Sequence, residues 1–222
     1  MDGTWKTDCG VGETVDSMSC NENDGCGHTP LIAAAWEGRI DVVKSLIAKG
    51  VNLEARNRDG QTALMVAARK GRLAVVQALM DHGADPEVQT DSGDTPLISA
   101  AVEGRTAVVN ALVDRGVNVE VSNRDHFTAL TLAAWNGRLE VVNALINKGV
   151  DPEKQVCNGY TPLTAAALEG RIEVVKALID RGVNLDATNS RGDTALTLAA
   201  LNGRPDAVSL LLDKAAKPII QA

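Results

Sequence analysis

Three positions recur at a spacing of 33 residues along most of the chain. The first is a threonine, the second is a glycine followed by an arginine, and the third is a further glycine that fails only in the last unit, at Ala215. The threonines are Thr29, Thr62, Thr95, Thr128, Thr161 and Thr194, the Gly-Arg pairs begin at Gly38, Gly71, Gly104, Gly137, Gly170 and Gly203, and the further glycines are Gly50, Gly83, Gly116, Gly149 and Gly182. Markers that keep one phase predict six copies of a structural unit, each packed on its neighbours.

Each unit contains the signals of two short helices. The threonine is expected to act as an N-cap, and Pro30, Pro96 and Pro162 follow it at the first helical position, where no N–H is needed. The Gly-Arg pair predicts a turn into a second helix, whose apolar residues keep helical spacing and which ends at the next glycine. Nine or ten polar, turn-rich residues, such as 52–60, predict an extended, hairpin-like connection to the next threonine.

These residues resemble the ankyrin-repeat family. The matching motifs are Thr29-Pro30-Leu31 with Ala34-Ala35, Gly38, Val42-Val43 and Gly83-Ala84-Asp85. The resemblance implies an all-α fold, an ankyrin-repeat solenoid of stacked antiparallel helix pairs, with a β-hairpin-like finger from each pair and a concave face made by fingers and first helices. It divides the chain into an irregular leader, 1–23, and an ankyrin-repeat domain, 24–222, with repeats at 24–56, 57–89, 90–122, 123–155, 156–188 and 189–222.

The chain departs from the usual ankyrin pattern at three positions. The histidine that usually follows Thr-Pro-Leu is replaced by Ile32, Met65, Ile98, Thr131, Thr164 and Thr197, and the usual Gly-His turn is Gly-Arg in every unit. The finger asparagine, which can be hydroxylated in this family, is replaced by Glu54, Glu87, Glu120, Glu153 and Asp186. The first two departures call the usual hydrogen-bond pattern into question, and the third argues against hydroxylation at these positions.

Composition limits the class of partner. Apolar residues make up 45% of the chain but Phe, Tyr and Trp only 2%, which favours a thin core of small helices over a thick aromatic one. The net charge of −7 argues against a nucleic-acid backbone as the partner. No stretch is apolar enough to span a membrane, and the first twelve residues lack the pattern of a secretory signal. Four cysteines in 222 residues favour a reducing compartment, the cytoplasm or the nucleus.

Residues suited to catalysis or metal binding do not form a recognisable set. The three histidines, His28, His82 and His126, fall at unrelated places in the repeat, and no phosphate-binding loop or His-Glu-x-x-His motif occurs. Cys9, Cys20 and Cys26 precede His28 with ten, five and one intervening residues, without the close cysteine pairs typical of structural zinc sites. We therefore expect no enzymatic activity, no cofactor and no metal.

The repeated arginine of the Gly-Arg turn allows two interpretations. It could form a basic stripe for a phosphate-bearing ligand, or it could make a ladder of structural contacts between turns. Carboxylates follow it two residues later in most units, for example at Asp41 and Glu140, which favours the structural ladder.

Four aromatic residues outside the leader point to the concave face: Trp36, Phe127, Trp135 and Tyr160. Phe127 and Tyr160 immediately precede a capping threonine, and the two tryptophans lie two residues before a Gly-Arg turn. The family resemblance implies that these positions face the groove, and stacking of repeats four and five should bring Phe127, Trp135, Tyr160 and Leu168 together. Two explanations stay open, because such residues could bind a partner or could shield the seam between repeats.

The sequence thus predicts a non-catalytic scaffold that binds a protein partner along its concave finger and first-helix face. The expected contact residues are Trp36, Arg58, Asp59, Gln61, Arg69, Lys70, Asp91, Asp94, Glu103, Arg124, Asp125, Phe127, Trp135, Asn136, Tyr160, Leu168 and Glu169. The alternative is a ligand- or RNA-binding solenoid that uses the same aromatics as stacking platforms, which the acidic charge disfavours. Apolar residues in both end units further predict a monomer, or weak self-association through uncapped ends, with the C-terminal tail packed on the last helices.

Overall fold

The computed structural model describes residues 27–215, and this part of the chain is a single row of helix pairs. Six first helices, one per unit, are α1 (Pro30–Glu37), α3 (Ala63–Lys70), α5 (Pro96–Val102), α7 (Ala129–Trp135), α9 (Pro162–Glu169) and α11 (Ala195–Leu201). Their partners are α2 (Ile40–Ala48), α4 (Leu73–Asp81), α6 (Thr106–Asp114), α8 (Leu139–Asn147), α10 (Ile172–Asp180) and α12 (Pro205–Ala215). The all-α solenoid is confirmed, whereas the predictions for the leader, 1–23, and for the tail packing lie outside the described residues.

Each first helix begins at the recurring threonine. In all six units the threonine hydroxyl accepts a hydrogen bond from the backbone N–H three residues later, as from Ile32 to Thr29 at 3.2 Å. In unit five, Thr164 also accepts a bond from the N–H of Thr161 at 2.8 Å, which completes a reciprocal cap. The predicted N-caps are confirmed, and threonine at the usual histidine position strengthens one of them.

The turn between the two helices needs glycine for two reasons. Gly104, for example, has φ of +74°, a conformation that side chains with a Cβ rarely adopt. A Cβ at Gly104 would also lie 3.0 Å from Cδ of Arg138 in the next unit. The Gly-Arg pair therefore acts across units, because the arginine stem of one repeat packs on the turn glycine of the repeat before it.

The fingers are turns, and no ladder of strands forms within residues 27–215. One isolated bridge pairs Ser122 with Thr128, and each finger tip is closed by two backbone hydrogen bonds. In the finger 51–61, for instance, the N–H of Asn57 donates to the carbonyl of Gln61, and the N–H of Gly60 donates to the carbonyl of Asn57, both at 3.0 Å. The connections are hairpin-like in path, with their backbone groups satisfied by turns.

The core is thin and runs along the whole row. Most alanines of the first helices are buried, and the helices α2, α4, α6, α8 and α10 each add a buried valine and leucine, such as Val142 and Leu145, while α12 adds Ala207 and Leu211. First helices pack more closely on one another than second helices do, because small side chains shorten the distance between helix axes. The row therefore curves, with the first helices and finger bases on its inner face. None of the helices in residues 27–215 combines the length and apolar character needed to cross a membrane.

Candidate interaction surface

The predicted contact residues lie on the inner face, which we call the groove. It consists of the C-terminal ends of the first helices together with the bases and tips of the fingers. Half-buried members are Trp36, Gln61, Arg69, Lys70, Asp94, Phe127, Trp135, Asn136, Tyr160, Leu168 and Glu169. Exposed members are Arg58, Asp59, Asp91, Glu103, Arg124 and Asp125. None of the seventeen is fully buried, so each presents some surface to solvent.

Three of the four aromatic residues form one cluster. The ring of Phe127 meets the ring of Trp135 edge to face, with centroids 5.8 Å apart. The ring of Tyr160 is tilted relative to that of Trp135, with centroids 6.3 Å apart. We call these three residues the aromatic cluster. It joins the base of the finger 117–127, the end of α7 and the base of the finger 150–160, as stacking of repeats four and five predicts. Leu168 lies half-buried on α9, at the position that corresponds to Trp135 one repeat later.

Trp36 lies in a different environment at the other end of the groove. Nζ of Lys70 lies over its ring, 3.6 Å from the centroid, and Cζ of Arg69 lies 5.4 Å from it. The ring of His28 is 6.3 Å away. Burial lowers the pKa of Lys70, and the nearby Arg69 lowers it further. The sequence indicated each of these residues but missed their contact, although the spacings of 33 and 34 residues were the available signal.

Several predicted contact residues also stabilise the fold. Gln61 accepts a hydrogen bond from the side-chain amide of Asn57 at 3.5 Å, and Asp94 accepts one from the amide of Asn123 at 3.1 Å. The amide of Asn136 donates to the carbonyl of Leu132 at 2.8 Å. Substitution of these three residues would therefore disturb the fingers and helix ends as well as any partner contact. They are poor first targets for a binding test.

The finger stack is irregular beside the aromatic cluster. Four described finger tips have glycine where the next finger approaches, and a Cβ at Gly93 would lie 2.7 Å from the N atom of Arg124. His126 occupies this position in the fourth unit with φ of +62°. The following finger then forms a 3-10 turn at Cys157–Gly159, and Asn158 has φ of +55°. Two other pairs of adjacent tips are joined by a backbone bond, from Arg124 to Ser92 at 2.9 Å and from Ser190 to Asn158 at 2.8 Å. Here the corresponding bond, from Cys157 to His126, shifts register and lengthens to 3.5 Å.

One histidine of the described residues, His82, has a structural role. Nδ1 of His82 lies 2.8 Å from the carbonyl oxygen of Ala78 at the end of α4, a helix-end contact. Within residues 27–215, no three histidine, cysteine or acidic side chains lie close enough together to hold a metal ion. Cys9, Cys20 and Cys26 lie outside this range.

The stacked helix pairs and the fingers between them define a helical-repeat solenoid. A sequence profile of ankyrin repeats matches three times, at residues 9–90, 75–156 and 150–222. The chain therefore belongs to the ankyrin-repeat family. Its structure is similar to the human ASB11 ankyrin repeat domain, with a TM-score of 0.77 and 31% sequence identity over 86% of this chain and 85% of that one. A comparison with curated protein sequences found no match.

Proposed function

We propose that this protein is a non-catalytic scaffold that binds another protein along the groove. Ankyrin repeats are generally protein-interaction modules, and the proposal adds the binding face. Its main support is the aromatic cluster, whose three rings are half-exposed on the inner face while leucine, alanine and valine fill the core. Binding energy in interfaces is concentrated in a few aromatic or arginine residues, so this cluster is the best candidate for the centre of the interface.

The charges along the groove support a protein partner over RNA. Acidic and basic side chains alternate on the finger tips and helix ends, with Arg58 beside Asp59 and Arg124 beside Asp125. A phosphate-binding surface would need concentrated positive charge, whereas this chain carries a net charge of −7. Because the chain contains few cysteines, we place the scaffold in the cytoplasm, with the nucleus as the second compartment.

The test separates groove residues from the outer surface of the same repeats. Trp135→Ala and Tyr160→Ala should weaken binding of a captured partner at least tenfold, a loss of about 1.4 kcal/mol, with little change in melting temperature. Lys176→Ala is the matched control, because Lys176 is exposed on α10 and lies outside the groove. The partner is captured from nuclease-treated extract, identified by mass spectrometry, and its affinity is then measured by calorimetry.

Two results would contradict the proposal. If the aromatic variants melt early but bind normally once folded, the cluster shields the seam between repeats and the groove assignment is wrong. If a partner is captured only from extract that has not been treated with nuclease, binding depends on RNA. The stacking-platform alternative would then replace the protein scaffold.

A further inference from the structure

The two tryptophans of the groove occupy the same position three repeats apart. Trp36 and Trp135 are separated by 99 residues, which is three times the repeat length. The ring of His28 adjoins Trp36 and the ring of Phe127 adjoins Trp135 in the same register. The chain therefore contains two versions of one indole site, which can be compared residue by residue.

The two versions differ in what covers the indole. At Trp36, the next repeat supplies Arg69 and Lys70, whose cationic groups lie over the ring. The corresponding residues beside Trp135, again 33 and 34 positions later, are Leu168 and Glu169. Among residues 27–215, basic side chains stack on Trp36 alone. The first indole is thus covered by cations of its own chain, whereas the second is contacted by the ring of Tyr160 and has a carboxylate, that of Glu169, at the repeat position of Lys70.

We propose that Trp135 and Glu169 form a subsite for a lysine or arginine side chain of the partner protein. This inference rests on the proposed function and specifies its recognition chemistry. An indole face attracts a cation through its quadrupole, and a neighbouring carboxylate adds an ion pair. The partner's side chain would take the place that Lys70 takes over Trp36.

Other charges around the subsite permit this occupant. Nε of Arg171 donates to the carbonyl of Trp135 at 3.0 Å, and Nη2 of Arg204 lies 3.7 Å from Glu169. Arg72 makes the same carbonyl bond at Trp36, at 3.2 Å, and Lys70 is nevertheless placed over that ring. The single long contact from Arg204 leaves the Glu169 side chain 28% exposed and able to accept a second cation.

The inference also distinguishes the two ends of the groove. A basic side chain is repelled at the first indole, where Arg69 and Lys70 already crowd together and the pKa of Lys70 is lowered. A basic side chain is attracted at the second indole, that of Trp135. Helices pack about 8–10 Å apart, so three repeats separate the sites by roughly 30 Å, the span of about nine extended residues. A partner segment would therefore place its basic residue in the C-terminal half of the groove.

The chain itself suggests the decisive variant. Leu168→Arg with Glu169→Lys copies the Trp36 environment onto Trp135, so that the protein would fill its own subsite. The probe is a positional-scanning library of acetylated, amidated nonapeptides, in which each position is fixed in turn as each amino acid. Binding to the full chain is measured by fluorescence anisotropy, and folding of every variant is checked by circular dichroism.

We expect the wild-type protein to prefer lysine or arginine at one peptide position. The self-filled double variant should reduce binding of those peptides at least tenfold, and Glu169→Gln should reduce the basic preference while leaving the fold intact. Glu173→Lys is the control for long-range charge, because Glu173 is exposed on α10 and equals Glu169→Lys in charge change. It should have a small effect that disappears with added salt.

Three outcomes would overturn the inference. Peptides that bind through Trp135 without a basic preference would exclude the cation subsite but leave the proposed protein-binding groove intact. A basic preference that survives in the self-filled variant would place the cation elsewhere. A library in which no peptide binds would also reject it, and the capture experiment would then decide the proposed function independently.

Discussion

The arginine after each turn glycine connects neighbouring repeats. From the second unit onward, its Nε donates to the carbonyl of the residue 36 positions earlier, at the end of the previous first helix. The five distances range from 2.8 Å at Arg138 to 3.2 Å at Arg72 and Arg204. A helix end leaves such carbonyls without an intrahelical partner, so the arginine satisfies one of them. This ladder confirms the structural interpretation of the repeated arginine.

The first residue-scale prediction concerns Arg138. Arg138→Ala removes the 2.8 Å bond to the carbonyl of Val102 and the packing of its stem on Gly104. We expect the free energy of unfolding to fall by about 1–2 kcal/mol, since the net value of one hydrogen bond is about 1 kcal/mol and the packing loss adds to it. Urea denaturation followed by circular dichroism measures this change, while partner affinity per folded molecule should stay the same.

Arg39→Ala provides the matched control. Arg39 holds the same position in the first unit but pairs with Glu37 of its own turn, 2.5 Å away, on an exposed surface. Exposed ion pairs contribute little to stability, so this variant should change unfolding by less than about 0.5 kcal/mol. Equal losses in both variants would mean that the ladder between repeats is not the source of the effect.

The finger acid has a structural role of the same kind. Oε1 of Glu87 accepts a hydrogen bond from the N–H of Asn118 in the next finger at 2.7 Å, and Glu54 and Glu153 make the corresponding bond. The side chain of Glu120 instead forms an ion pair with Lys154. Glutamate in place of the usual asparagine therefore ties consecutive fingers together. The sequence predicted the loss of a modification site at this position but not this contact.

At the scale of elements, a helix pair is stable only when the turn between its helices fits the next pair. The turn glycines and the glycines that end the second helices share a positive φ. Of these two sets only the turn glycines, Gly203 excepted, also face an arginine of the following repeat. Gly104 has φ of +74° and meets Arg138, whereas Gly50 has φ of +73° and nothing within 4 Å. A comparison of substitutions at Gly104 and Gly50 therefore separates backbone strain from crowding between repeats.

Gly104→Ala should destabilise the protein more than Gly50→Ala. Both variants place a Cβ at positive φ, which costs roughly 1–2 kcal/mol, but Gly104→Ala must also displace the Arg138 stem. A double-mutant cycle measures this second contribution, because the excess should disappear when Arg138 is already alanine. Equal losses for the two glycines, or additivity with Arg138→Ala, would show that the arginine stem yields without cost.

At the scale of the whole molecule, each unit contacts only the units beside it, so stability is a sum of repeat and interface contributions. The sixth unit illustrates an end of the described row. Leu198 and Leu211 are buried, while Leu201 is 75% and Leu212 is 49% exposed. Two leucines of this unit are thus left in contact with solvent.

Deletion of residues 186–222 tests the independence of the units. The remaining five units should stay folded, with a lower denaturation midpoint and unchanged helical circular dichroism per residue, because the loss is confined to one repeat and one interface. Complete loss of helix would contradict this. Sizing chromatography on the same samples should detect a monomer or weak self-association, and truncation exposes a fresh α9–α10 face that should favour association.

The sequence by itself determined the features that depend on local chemistry. Helix starts at threonine follow from capping, and turns at glycine follow from the φ that those turns require. The repeat period and the buried valine and leucine positions follow from helical spacing. Aromatic contact between Phe127 and Trp135 was also predictable, because both lie in one repeat at known places. These interactions span a few residues or repeat identically, so a linear pattern contains them.

Only the tertiary structure decided which long, flexible side chains meet across repeats. The bond from Arg138 to Val102 spans 36 residues, and the stacking of Lys70 on Trp36 spans 34. Such contacts depend on the offset between stacked units and on the rotamers of long, flexible side chains, neither of which a sequence pattern specifies. The groove was therefore predictable as a surface, while the different coverings of Trp36 and Trp135 emerged only when the units were packed together, because their partners come from the following repeat.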